Sequence, residues 1–291
     1  MKTVFIAGAT GYLGRYLCAE YGRRGWYVIA LVRNAKTAGK LSADTLVEAQ
    51  ATQPQTLHGL MNGVDLVVSA LGITRQTDGL SYRDVDYQAN LNLLQEAERA
   101  GVGRFAYIHV LNADSMRNVP LVAAKADFVD VLKASRISST VIAPSGYFSD
   151  MDEVLSMARS GRVWLFGSGR ARINPIHGAD LACVVADATD AEADWIDAGG
   201  PEIFTQTELG TLAFETVAAA PRITHLPDAL RKGLLAVLPW VTPRRVHGPL
   251  QFFLTACAMD MVGTTFGTRR LADEFKTTLT KPAPNTQGDQ T

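Results

Sequence analysis

The chain has 291 residues, enough for one large domain or for a nucleotide-binding domain with a smaller companion. Hydrophobic residues make up 47% and charged residues 20%, and the formal net charge of −1 comes without any basic block of the kind that binds nucleic acid. Three widely separated cysteines argue against a disulfide framework or a zinc site, and no signal-like segment precedes the first apolar run, so we expect a cytoplasmic protein.

The first part of the chain predicts a strand, a glycine-rich turn and a helix. Residues 4–7 form an apolar run typical of a buried strand, and an amphipathic helix follows the turn. Between them, Gly8, Gly11 and Gly14 give the pattern G-x-x-G-x-x-G. A second apolar run at residues 28–32 completes half of a βαβ unit, which is the context in which such a turn binds a dinucleotide.

Each glycine of this turn has a separate physical role. Gly8 permits the sharp exit from the strand, Gly11 lets the backbone approach a pyrophosphate, and Gly14 lets the helix pack closely. The free N–H groups and the positive dipole end of the helix then face the phosphates. The predicted cofactor-binding residues of the turn are Gly8, Thr10, Gly11, Tyr12, Leu13 and Gly14.

The residue that ends the second strand indicates the type of dinucleotide. An acidic side chain at this position would accept hydrogen bonds from both ribose hydroxyls and favour NAD. The sequence has Arg33 there, and no acidic residue follows before Asp44. Because a guanidinium group suits a 2′-phosphate, Arg33 favours NADP.

Alternating apolar and amphipathic segments continue to about residue 148. We predict strands at residues 46–51, 66–71, 105–110 and 140–143, with helices at 54–61, 84–100 and 122–135. This order predicts an α/β fold with a doubly wound parallel sheet. The strand at 66–71 is continuously apolar, as a fully buried strand should be, and its carboxyl end belongs beside the cofactor. We therefore predict that Ala70, Leu71 and Gly72 form a wall of the cofactor cleft.

The pattern becomes less regular after about residue 150. We assign residues 1–148 to a dinucleotide-binding domain, 149–280 to a smaller substrate lobe, and the polar tail at 281–291 to a disordered segment. Two apolar segments in the lobe are interrupted by prolines and cations, and neither is long enough to span a membrane. Whether residues 230–265 face a protein partner, a membrane surface or the core stays open.

Four segments resemble the extended and atypical short-chain dehydrogenase/reductase superfamily. They are G-A-T-G-Y-L-G at 8–14, D-Y-Q-A-N at 86–90, G-V-G-R-F at 101–105 and P-S-G-Y-F at 144–148. Within the superfamily, the chain is similar to the NmrA-like group and to the branch with divinyl chlorophyllide 8-vinyl reductases and the NADPH-binding accessory subunit of respiratory complex I. The resemblance implies a Rossmann fold and NADPH as cofactor, and it adds Pro144 to the cofactor site.

The sequence departs from the family at the catalytic motif Tyr-x-x-x-Lys. Lys125 matches the lysine, but Leu121 stands where the tyrosine should be, and a leucine cannot transfer a proton. Lys125 would then bind the nicotinamide ribose or act as the acid or base itself. Alternatively, Tyr147, His109 or Ser115 replaces the tyrosine. The catalytic candidates are Lys125 and Tyr147.

Two classes of function follow from these observations. The first is an NADPH-dependent oxidoreductase that transfers hydride to a small apolar or conjugated substrate. The second is a non-catalytic NADPH-binding sensor, or an assembly or structural subunit. The missing tyrosine favours this class, because such a protein needs no proton donor. The missing tyrosine also argues against an epimerase or dehydratase with bound NAD.

Overall fold

The computed structural model describes residues 1–73, 79–242 and 244–280, and the tail predicted at 281–291 lies outside them. The strands are β1 Thr3–Ala7, β2 Tyr27–Val32, β3 Thr45–Glu48, β4 Leu66–Ser69, β5 Arg104–Ile108, β6 Ser138–Pro144, β7 Val163–Phe166, β8 Arg172–Ile173, β9 Trp195–Gly199, β10 Phe204–Thr205, β11 Ile223–Leu226 and β12 Thr264–Thr265. The α-helices are α1 Tyr12–Arg23, α2 Asn90–Ala100, α3 Pro120–Ala134, α4 Asp152–Arg159, α5 Gly178–Asp190, α6 Gln206–Thr216, α7 Asp228–Val241, α8 Arg244–Ala256 and α9 Leu271–Thr280.

Eight of the described strands form one sheet in the order β12-β9-β6-β5-β4-β1-β2-β3. Each neighbouring pair in this sheet is parallel. The chain runs outward from β1 to β3 and then returns to the other side of β1 with β4, so the strand order reverses between β1 and β4. This topology confirms the predicted doubly wound sheet, and the reversal marks the crevice where such folds bind ligands.

Helices cover both faces of the sheet, as the continuous apolar strands require. Leu17 of α1 and Leu181 of α5 belong to the core cluster on one face. Leu93 of α2 and Phe128 of α3 belong to the cluster on the other. The strands β1 and β4 lie between these two layers and are almost completely buried.

Two of the predicted helices differ from the structure. The predicted helix at 54–61 is wrong, because the structure has only a short 3₁₀ turn at Pro54–Thr56. Gly59 adopts a positive φ of 82° and its N–H donates to Glu96 Oε1 at 2.7 Å, so the chain bends where the helix should continue. The predicted helix at 84–100 begins as a π-helical turn, Arg83–Ala89, before α2.

The part of the chain after residue 149 contributes to two regions. Strands β9 and β12 extend the main sheet, whereas α4, β7, α6 and α9 surround a separate apolar cluster that includes Leu155, Val163, Phe214 and Phe275. The domain boundaries proposed above stay a prediction. None of the described helices has both the length and the apolar composition needed to cross a bilayer.

Candidate functional site

The glycine turn after β1 packs directly against the end of β4. Gly8 has a φ of 82°, and a Cβ atom there would lie 2.7 Å from the carbonyl oxygen of Ala70. A Cβ atom on Gly14 would overlap the carbonyl oxygen of Gly8. The N–H of Gly11 donates to that same oxygen at 3.0 Å. The turn therefore needs glycine at the first and third positions for steric reasons alone.

The amino end of α1 opens toward solvent at this turn. Gly11 is the N-cap residue, Thr10 and Gly11 are exposed, and the first turn of α1 has no acidic side chain that would repel a phosphate. Leu13 has a buried side chain, so only its backbone could reach a ligand. The hydroxyl of Tyr12 accepts a hydrogen bond from the Gly178 N–H at 3.0 Å, which ties α1 to α5.

Arg33 follows β2 at the same edge of the sheet and is exposed. The loop after it carries two more cations, Lys36 and Lys40. Arg15 of α1 holds this loop, because its Nη2 and Nη1 atoms donate to the carbonyl oxygens of Ala38 at 3.1 Å and Lys40 at 3.2 Å. The loop next to the crevice is therefore positively charged.

Lys125 is a largely buried residue that forms an ion pair. Its Nζ lies 3.3 Å from Asp86 Oδ1. The same nitrogen donates to the Tyr107 hydroxyl at 3.4 Å and to the carbonyl oxygen of Ile108 at 3.3 Å. Burial raises the pKa of Asp86, and the charge of Lys125 opposes that rise.

The π-helical turn Arg83–Ala89 places Asp86 beneath Lys125. A π turn leaves backbone carbonyls without their usual helical partners, and the side chain of Asn90 donates to those of Val85 at 3.2 Å and Asp86 at 3.0 Å. The Ser69 hydroxyl at the end of β4 in turn donates to Asn90 Oδ1. These contacts fix Asp86 relative to the sheet.

The predicted wall of the cleft adjoins this ion pair. The backbone N–H of Ile73 donates to Asp86 Oδ2 at 3.3 Å. A Cβ atom on Gly72 would lie 2.7 Å from Asp86 Oδ1 and 3.0 Å from Lys125 Nζ. Gly72 is exposed and Ala70 and Leu71 are partly exposed. The wall and Lys125 thus meet at the carboxyl end of β4, beside the crevice.

Tyr147 lies just beyond the buried Pro144 that ends β6. Its ring centroid is 5.7 Å from that of Tyr12 at the start of α1. Burial raises the pKa of Tyr147, whereas the positive charge of Lys125 lowers it. The charge of Lys125 therefore acts on the Tyr147 hydroxyl.

The other candidates for the missing proton donor have different surroundings. His109 is 5% exposed, with its ring near Tyr107 and Trp195, and burial together with the charge of Lys125 lowers its pKa to about 3. Its Nδ1 has no hydrogen-bond partner within the described part of the chain. Ser115 is exposed on a short 3₁₀ turn, and Leu121 is buried in an apolar cluster with residues such as Met261.

Asp86 and Tyr107 are the residues that the sequence analysis missed. Both contact Lys125, and both are completely buried. A signal for Asp86 was present, since the motif D-Y-Q-A-N begins with it and a buried lysine needs a counter-ion. Among the described residues, no group of three or more His, Cys, Asp or Glu side chains could hold a metal ion.

A family model described as NAD(P)H-binding matches residues 8–192. The chain belongs to this NAD(P)H-binding family. The matched range begins at the first glycine of the turn and contains the crevice, Lys125 and Tyr147. A nicotinamide cofactor is therefore supported for this domain, and its contacts with the glycine turn and the amino end of α1 stay a prediction.

Two curated relatives lie in the branch that the sequence analysis named. The NADH dehydrogenase [ubiquinone] 1 alpha subcomplex subunit 9 of Arabidopsis thaliana is 24% identical, and the match covers 81% of this chain and 62% of the relative. The divinyl chlorophyllide a 8-vinyl-reductase of Zea mays is 27% identical, with 81% of this chain and 64% of the relative covered. The chain spans less than two thirds of the length of either relative. These two matches confirm the resemblance that the sequence predicted.

A solved structure supports the fold independently. The NADPH-dependent quinone oxidoreductase of Escherichia coli, crystallised with NADPH, superposes with a TM-score of 0.74 and covers 95% of this chain and 99% of its own. Its sequence identity is 19%. The likeness confirms the predicted Rossmann-type fold.

Proposed function

We propose that this protein is an NADPH-dependent oxidoreductase that transfers hydride to a small apolar or conjugated substrate. The observation that carries the proposal is the buried ion pair of Lys125 and Asp86 at the carboxyl end of β4, where it adjoins the exposed backbone of Gly72. A lysine held by a buried carboxylate beside the crevice has a fixed position from which to bind a ribose.

The free thiols of Cys18, Cys183 and Cys257 support the cytoplasm as the compartment of the protein.

The choice of NADPH over NADH rests on the loop after β2. Arg33 is exposed at the carboxyl edge of the sheet, and Lys36 and Lys40 add positive charge to the same loop. A 2′-phosphate carries negative charge and presents oxygens that suit a guanidinium fork. Arg15 would keep the loop in place through its two hydrogen bonds to the backbone.

A bound NADPH would supply the hydride, leaving NADP⁺. In our proposal Lys125 binds the hydroxyls of the nicotinamide ribose and Tyr147 donates the proton that completes the reduction of a C=C or C=O bond. The phenol of Tyr147 is protonated at neutral pH, as a donor requires, and burial raises its pKa further. The nearby charge of Lys125 then stabilises the phenolate that remains after proton transfer.

Cofactor titrations test the first half of this proposal. We expect NADPH to bind more tightly than NADH, and Arg33→Glu to weaken NADPH binding by about tenfold or more while leaving NADH binding unchanged. Arg162→Glu, which changes an exposed arginine that contacts Thr224 on the separate lobe, is the matched control and should alter neither affinity. Equal effects of the two substitutions would contradict the assignment of Arg33.

Turnover assays test the second half. The purified protein should oxidise NADPH with some member of a panel of enones, quinones and vinyl compounds. Tyr147→Phe should lower kcat by about 10²-fold or more with little change in NADPH affinity, as expected on removal of a proton donor. A protein that neither oxidises NADPH with this panel nor binds it below millimolar concentration would refute the proposal.

A non-catalytic NADPH-binding sensor, or an assembly or structural subunit, is the second candidate. The observation that favours it is the buried Leu121 at the position of the family's tyrosine. Tight NADPH binding without turnover on the whole panel, together with a stable protein partner in a pull-down, would decide for this alternative.

A further inference from the structure

Helix α7 exposes a row of large apolar side chains. Leu230 is 53% exposed, Val237 48% and Trp240 88%. These residues are seven and three positions apart, so they share one face of the helix. On the neighbouring helix α8, Phe253 is 50% exposed. Apolar side chains exposed as a group on one helix face mark a surface that contacts something other than water.

The inner sides of the two helices are already occupied. Leu238 of α7 and Leu254 of α8 are fully buried, and Arg231 Nη1 donates to the carbonyl oxygen of Leu254 at 2.9 Å. Gly248 of α8 packs against the ring of Tyr82. The exposed row is therefore a second face, presented outward by a pair of helices that the rest of the fold holds in place.

The charge of this segment identifies the chemistry of what covers the row. Between Asp228 and Asp260 the sequence contains no acidic residue, but it contains four cations, Arg231, Lys232, Arg244 and Arg245. The sequences of the two helices thus hold four cations against one acidic residue, Asp228, whereas the complete chain has a net charge of −1. Arg231 is buried and pairs with Asp228, so it does not face outward, whereas the Lys232 ammonium is exposed and lies 3.2 Å from Asp228.

We propose that α7 docks on an anionic lipid surface, with Leu230, Val237 and Trp240 inserted among the headgroups. A short helix with an apolar face, a tryptophan and neighbouring cations is the pattern that lies in the plane of a membrane interface. Asp228 is the single acidic residue in the sequences of α7 and α8, and it pairs with Arg231 and Lys232, so it adds little repulsion from such a surface. This proposal does not depend on the proposed function, because it uses no residue of the crevice.

Vesicle binding tests the proposal with the full chain. Vesicles of phosphatidylcholine and phosphatidylglycerol in a two-to-one ratio should sediment the protein at low salt, whereas pure phosphatidylcholine should not, and high salt should release it. The emission of Trp240 should shift to shorter wavelength on binding, and brominated lipid should quench it. Trp240→Ala should lower the partition coefficient by about tenfold or more, since a large apolar side chain no longer inserts.

The matched control is Trp195→Ala, which removes another partly exposed tryptophan from β9 in the main sheet and should leave vesicle binding unchanged. Arg244→Gln and Arg245→Gln should each weaken binding to anionic vesicles by about fivefold. Urea denaturation should show that Trp240→Ala is as stable as the wild type, because the side chain is exposed.

Three results would overturn the proposal. In the first, the wild type does not sediment with anionic vesicles at low salt. In the second, it binds neutral and anionic vesicles equally well. In the third, the Trp195 and Trp240 variants lose equal amounts of vesicle binding. A Trp240-dependent dimer in sedimentation velocity without vesicle binding would assign the surface to a second copy of the chain instead.

Discussion

Removing one charge from the buried ion pair of Lys125 and Asp86 should destabilise the fold far more than removing both. The two side chains are 14% and 0% exposed, and Lys125 Nζ lies 3.3 Å from Asp86 Oδ1. At an effective dielectric constant of about 20, two unit charges at this distance attract each other by about 5 kcal/mol. Burial has already removed most of the hydration of both groups, so breaking such a pair costs about 3–5 kcal/mol.

A double-mutant cycle measures this coupling. We expect Lys125→Met to lower the free energy of unfolding by about 3–5 kcal/mol, because it leaves the Asp86 carboxylate buried without a counter-ion. Asp86→Asn should also destabilise the protein, and the double variant should lose much less than the sum of the two single effects. Urea denaturation of all four proteins, followed by circular dichroism at neutral pH, gives the coupling energy.

Asp127→Asn is the control, since it breaks exposed ion pairs with Arg83 and Arg117 and should change stability by less than about 1 kcal/mol. Additive effects of Lys125→Met and Asp86→Asn would refute the reasoning, because additivity means that the two charges do not interact in the folded protein. Lys125 would then be better described as a solvated lysine, and its assignment to the ribose would lose its structural support.

Two further predictions concern the glycine turn and His109. Gly14→Ala should destabilise the protein by about 1–3 kcal/mol and weaken NADPH binding, because the new methyl group overlaps the Gly8 carbonyl. Gly22→Ala in the same helix is the control and should be neutral or slightly stabilising, because the nearest atom to its new methyl group is 3.9 Å away. Equal losses of stability in the two variants would contradict the steric argument. In the folded protein, His109 has a pKa of about 3, whereas in the unfolded chain its pKa is about 6.5. Between these two pH values the unfolded state binds more protons than the folded state. The free energy of unfolding therefore falls as the pH falls. The difference in unfolding free energy between wild type and His109→Gln should therefore change by about 1.4 kcal/mol per pH unit between pH 6 and 4, and parallel urea-denaturation curves across this range would contradict it.

Local sequence patterns were sufficient for most of the fold. Three features were readable from the sequence: the apolar run of β1, the continuous apolar run of β4, and the spacing of the glycines in the turn between β1 and α1. Each depends on contacts between neighbours in the chain or on burial of the whole strand. The parallel order followed from the alternation of strands and helices. The same reasoning failed at residues 54–61, where apolar and helix-forming residues were interrupted by Gly59 with its positive φ.

The sequence alone thus determined the doubly wound sheet and the residues that line the crevice, because the carboxyl ends of parallel strands must meet at one edge. Their contacts with a cofactor stay a prediction. Only the tertiary structure showed that Asp86 and Tyr107 contact Lys125 and that the charge of Lys125 influences Tyr147. These side chains come from a π-helical turn, a strand, a helix and a loop that are distant in the chain. Their contacts depend on how the layers pack, and no local pattern of residues encodes that packing.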